Sequence, residues 1–71
     1  MYNSELVEQF IKIYGKENTR QFCIMEADKY LSLWTSRRGD PLAHDYKLKE
    51  WNSSEEYFEY NWFKKKAEEL L

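Results

Sequence analysis

Apolar side chains recur along three stretches of this chain at the three-to-four-residue spacing of a helix. In the first, Leu6, Val7, Phe10, Ile11 and Tyr14 fall on one face of an amphipathic helix over about 4–14. Asn3 or Ser4 can cap its start, because a short side-chain oxygen accepts from a free N–H of the first turn. Glu8 and Lys12 form an i,i+4 pair in the favourable order. Gly15 is placed to stop the helix in a left-handed conformation.

The second stretch covers about 19–35. Phe22, Cys23, Ala27, Tyr30, Leu31 and Trp34 form a broad stripe, which Ile24 and Met25 widen. Asn18 and Gln21 have the spacing of a capping box. The connection from Tyr14 to Thr19 is short, so the first two helices are expected to pack as an antiparallel hairpin, with one helix bent at Gly15 as the alternative. The third stretch covers about 54–70, with Tyr57, Tyr60, Phe63, Ala67 and Leu70 at helical spacing and Phe58 and Trp62 on an adjoining face. Ser53 and Glu56 read as its capping box, and Glu55 suits the positive end of the helix dipole.

Between the second and third stretches, residues 34–46 read WTSRRGDPLAHDY. Gly39 ends the helical pattern. Asp40-Pro41 then reads as a new start, with aspartate as cap and proline at the first helical position. Leu42, Ala43 and Tyr46 would line one face of a short helix running to about Lys49. A weak alternation over 46–51 also fits a strand, but a single strand has nothing to pair with. The expected fold is therefore all-α, a single small helical domain over 1–71. It has three main helices at about 4–14, 19–35 and 54–70, with a short helix or irregular segment at about 41–49.

Size turns this pattern into a question of stability. A chain of 71 residues makes one domain, and one this small buries only about 60% of the surface its unfolded chain exposes. Cys23 is the only cysteine and His44 the only histidine, so neither an intrachain disulfide nor a Cys/His zinc site can hold it together. Another subunit is the staple left. The thirteen aromatic residues point the same way. Each buries roughly 150–250 Å², and tyrosine and tryptophan suit interfaces. In the last stretch they spread around more than half of the helix. Trp51, Tyr57, Phe58 and Trp62 are accordingly either a core that compensates for few aliphatic residues or the expected interface, to a second copy or to a protein partner.

Charge narrows the function classes. The net charge is −2 and acidic residues flank both basic clusters, Arg37-Arg38 and Lys64-Lys65-Lys66, which argues against a nucleic-acid partner. No apolar run approaches a membrane span. MYNSELVEQF lacks the cationic start and apolar block of a secretory signal, and with an unpaired cysteine this favours the cytoplasm.

The candidate chemistry is sparse. Arg37 and Arg38 before Gly39 suit the negative end of a helix dipole, and equally a small anionic ligand, since arginine grips phosphate and carboxylate in pairs of bonds. Thr35 and Ser36 could add hydroxyl donors, and Trp34 and Tyr46 a flat face for a base. Arg38-Gly39-Asp40 spells an adhesion tripeptide, which has no setting in a chain without a secretory signal. Cys23 and His44 could be drawn as nucleophile and base, but a thiol inside an apolar stripe is ordinarily inert. Glu55, Glu56 and Glu59, like Glu26 with Asp28, match no metal-ligand spacing. With no catalytic, cofactor or metal motif, the expectation is a non-enzymatic binding protein that self-associates, or alternatively a structural or assembly subunit. Compact, acidic, aromatic-rich helical chains of this length resemble phage accessory proteins. That resemblance implies inhibition of a host factor, or sequestration of a small nucleotide-like anion by an oligomer.

Overall fold

The computed structural model describes residues 4–71, so Asn3, one of the two candidate caps, lies outside the described residues. The chain folds into four helices: α1 (Ser4–Tyr14), α2 (Lys16–Arg38), α3 (Asp45–Asn52) and α4 (Glu55–Glu69). Among the described residues there is no strand, and the fold is all-α.

The first departure from the sequence pattern is at the start of α2. One residue, Gly15, separates it from α1. Its N–H donates to the Ile11 carbonyl at 2.9 Å and its carbonyl accepts from the Thr19 N–H at 3.1 Å. The same glycine thus closes one helix and opens the next. Its φ of 88° and ψ of 161° are not the left-handed helical values expected of it. They fall in a region open essentially to glycine alone. The capping box does not form, because both its residues are already inside a helix. The Asn18 amide turns back and donates to the Tyr14 carbonyl at 2.9 Å, satisfying the end of α1. Gln21 donates to Glu17 at 3.2 Å. Thr19 is buried, and its hydroxyl donates to the Gly15 carbonyl at 2.8 Å, so no polar group is stranded.

α2 and α4 are the body of the molecule and run antiparallel. Arg37 meets Glu56 at one end, while Cys23 and Ala27 share a core cluster with Phe63 and Ala67 further along. The small side chains Cys23, Ala27 and Ala67 let the helices approach closely there. Phe63, fully buried, fills the seam between Phe22 (ring centroids 6.3 Å apart, nearly perpendicular) and Tyr30 (6.1 Å, stacked). Met25, expected to widen the apolar stripe, is exposed instead, which leaves that side of α2 open to solvent. α1 packs on one end of this pair through Phe10 against Phe22 at 5.4 Å. α3 packs on the other end through Trp51, which meets Trp34, Tyr57 and Tyr60 at 5.4–5.5 Å. The result is elongated, 41 × 19 × 16 Å.

α3 sits later than the pattern suggested, over 45–52 rather than 41–49. The Asp40 carboxylate does accept from a backbone N–H, that of Leu42 at 2.9 Å, and Ala43 donates to the Asp40 carbonyl at 3.1 Å. That single turn goes no further, because His44 is extended (φ −148°, ψ 150°) and restarts the chain. Ser54, not Ser53, caps α4. Its hydroxyl accepts from the Tyr57 N–H at 3.0 Å and donates to the Trp51 carbonyl at 2.7 Å. Ser53 closes α3 instead, its N–H donating to Lys49 and Glu50.

Candidate functional site

The last turn of α2 holds most of the residues that the sequence singles out. Gly39 ends that turn with φ 85° and ψ −179°, again a glycine conformation, and donates to the Thr35 carbonyl at 2.9 Å. Arg37 and Arg38 project from the turn in different directions and each finds an acid. Arg37 Nη2 lies 2.8 Å from Glu56 Oε1 at the start of α4, and its Nε donates to the Leu33 carbonyl at 3.4 Å. Arg38 Nη1 lies 3.8 Å from Glu50 Oε2 on α3, and its guanidinium sits 4.9 Å over the Trp34 ring. The two cations therefore tie α2 to α4 and α3 respectively. Glu56 feels this. Its own backbone N–H holds its carboxyl below the ordinary value; burial opposes this, and Arg37 and then Arg38 reinforce it.

Trp34 is buried, with Trp51 against it at 5.4 Å and Arg38 over it. It has no open face for a base, which corrects the stacking role expected of it. Its Nε1–H has no acceptor. Thr35 and Ser36 are exposed, and the Ser36 hydroxyl donates back to Leu33 at 3.5 Å. Tyr46 is exposed and stacks on His44 at 5.6 Å, so it does not join the group around Trp34. A shallow depression of about 410 Å³ opens beside Trp34 and Arg38, walled by Glu50, Ser53, Ser54 and Glu56. The three residues that matter most here after the arginines (Glu50, Ser54 and Glu56) carried no sequence signal for it. Arg37 and Glu56 are nineteen residues apart, and only opposite charge hinted at their meeting. With Glu50, Glu55 and Glu56 lining it beside the single cation Arg38, the depression favours an anion poorly.

The aromatic residues of the last stretch divide. Trp51 is buried among Trp34, Tyr57 and Tyr60, and belongs to the interior rather than to an interface, because α3 folds it onto the α2–α4 pair. Tyr57 is half-buried against it. Trp62 is half-buried, edge-on to Phe63 at 5.0 Å with the Lys66 ammonium over its ring at 5.6 Å. Phe58 alone of the four is 59% exposed. Cys23 is fully buried, and burial pushes its thiol up from the ordinary value, with Lys66 opposing. Such a thiol is a poor nucleophile at neutral pH. Among the described residues no three His, Cys, Asp or Glu side chains gather as metal ligands, and no helix is long and apolar enough to cross a membrane. Compared with protein-family models, with curated proteins and with solved structures, the chain finds no match.

Proposed function

We propose that the protein works by contact rather than by catalysis, as a non-enzymatic binding protein that self-associates through the aromatic side of α4. The observation that supports this most is Phe58, a large aromatic ring left 59% exposed one helical turn before Trp62 on the same side of the helix. Burying such a ring against a partner stabilises by about 1.5–3 kcal/mol. The slender body, only 16 Å in its thinnest direction, adds to the case, since little interior stands behind that side. The test is the mass in solution across concentration, by sedimentation or light scattering. A concentration-dependent rise above the monomer is expected, and Phe58→Glu is expected to weaken it while leaving the helical circular dichroism of the chain unchanged. Trp62→Glu is the poorer probe because Trp62 also touches Phe63. A wild-type chain that stays monomeric at several hundred micromolar overturns the reading.

A second reading, capture of a small anionic ligand beside Arg38, draws on one fact. Trp34 Nε1–H is buried without an acceptor at the wall of the depression that Arg38 also lines. Calorimetry against nucleotides tests it. The carboxylates around the arginines weigh against it, so we rank it below self-association.

A further inference from the structure

Self-association as proposed above uses the side of α4 that carries Phe58. The other flank of the α2–α4 pair holds a different pattern. A shallow groove of about 280 Å³ runs between the two helices there, lined on α2 by Arg20, Ile24 and Asp28 and on α4 by Lys64, Glu68 and the following Leu71. The apolar part is small but open, with Leu71 82% exposed and Ile24 half-buried. The charges stand at the corners. Because the helices are antiparallel, Arg20 lies toward the Glu68 end and Asp28 toward the Lys64 end. Each helix therefore shows one positive and one negative group, and each end of the groove does too.

Neither Asp28 nor Glu68 nor Lys64 has an ion pair among the described residues. Arg20 binds Glu17 through Nε and Nη2, which leaves Nη1 outside that ion pair. Lys64 lies 5.6 Å over the Tyr60 ring.

This arrangement has a symmetry consequence. A two-fold contact brings the same patch of both copies together, so residue i meets j while j meets i. If the axis runs across the helices, α2 lies over its own copy reversed, placing Arg20 over Asp28 and Lys64 over Glu68. If the axis runs along the helices, Arg20 faces Glu68 and Asp28 faces Lys64. In both cases every charge meets its opposite. A patch with one sign of charge, or with the signs segregated to opposite helices, would not satisfy both.

We propose that this flank docks a second copy of the same chain, with Ile24 at the centre of the contact, Leu71 at its Glu68 end and the four charges setting its register. The proposal rests on the reading that the protein self-associates, and it gives that association a second, polar surface opposite Phe58. Charged residues at such positions fix orientation more than they add affinity.

The test is a charge-sorting experiment on the full chain. One variant carries Arg20→Glu with Lys64→Glu and presents only acids on the flank. The other carries Asp28→Lys with Glu68→Lys and presents only bases. Phe58→Glu is added to both, so that only this flank is read. Each is expected to be monomeric alone and to form a one-to-one heterodimer on mixing, at least tenfold tighter than either self-association. Circular dichroism melts establish that each is folded. If Arg20→Glu unfolds the chain beside Glu17, Lys64→Glu alone serves as the acidic partner. In the Phe58→Glu background the dimer should also weaken as salt rises from about 0.05 to about 0.5 M, where the screening length shrinks to a few ångströms. Folded variants that stay monomeric on mixing, or that pair no more tightly than either associates alone, would overturn this proposal, while wild-type protein that still associates would leave self-association standing. Wild-type protein that is monomeric throughout overturns both.

Discussion

Trp34 and Phe63 are both buried aromatic residues of the α2–α4 body, yet their removal should cost very different amounts. Phe63 is fully enclosed and touches Phe22, Tyr30 and Trp62. Phe63→Ala leaves a cavity that the neighbouring rings cannot collapse into, at a cost of about 3–5 kcal/mol. A domain of this length is stable by roughly 4–10 kcal/mol, so that one change takes about half of it. Trp34 carries a buried N–H with no acceptor, a group whose burial itself costs about 1–3 kcal/mol. Trp34→Phe removes that N–H along with part of the ring, and the two effects offset. Chemical denaturation is expected to show Trp34→Phe within about 1 kcal/mol of the parent, and Phe63→Ala lower by about 3–5 kcal/mol. A large loss for Trp34→Phe would mean that the indole N–H is paired in solution, for example with the face of Trp51.

At the scale of elements, two adjacent serines look alike in sequence and do different work. Ser54 gives and takes a hydrogen bond at the start of α4, while Ser53 contributes only its backbone. Ser54→Ala should cost about 1 kcal/mol and Ser53→Ala only a few tenths, measured as shifts of the denaturation midpoint. The sequence could not choose between them, because the choice depends on where α3 ends. That end is set by Trp51, which reaches Trp34 from the last turn of α3. The same limit applies at the other junction. The apolar spacing from Leu6 to Tyr14 and from Tyr57 to Ala67 located α1 and α4 almost to the residue, since it records which side faces the core. It is silent about Lys16–Asn18, which are exposed and polar, so the beginning of α2 was read three residues late. The candidate site was legible as a cluster of residues 34–38 but not as a geometry. Nothing local foretold that Arg37 would meet Glu56 or that Arg38 would cover Trp34, because those contacts are made only when three helices come together.

For the molecule as a whole, ion pairs at its two ends predict how it responds to acid. Glu56 is held below the ordinary carboxylate value by its own N–H and then by Arg37, and Glu17 by Arg20 first and then by Gln21. A carboxyl group with a lowered folded value stabilises fully above its unfolded value, near pH 4, and loses that contribution as pH falls through the lowered folded value. Melting temperature should therefore be flat from neutrality to about pH 5 and decline below it. Glu56→Gln should make that decline shallower. Glu17 is exposed and Glu56 only half-buried at the surface, so the change per group is small, and salt should reduce it.

The way α3 clamps one end of the α2–α4 pair also bears on the order in which the chain assembles. Arg37 and Glu56 close a loop of about nineteen residues, whereas Phe22 and Phe63 at the far end are separated by more than twice that. Closing the shorter loop loses less chain entropy, so the α3 end should form first and the pair should zip from there toward Cys23 and Ala67. Kinetics would then distinguish two changes of similar equilibrium cost. Trp51→Phe, at the closing end, should slow refolding in stopped-flow measurements. Phe22→Leu, at the far end, should leave refolding nearly unchanged and speed unfolding. The reverse assignment would place the folding nucleus at the α1 corner. On the expected order, the chain commits to its fold at Trp34 and Trp51, far from its first helix, and α1 joins last through a single glycine.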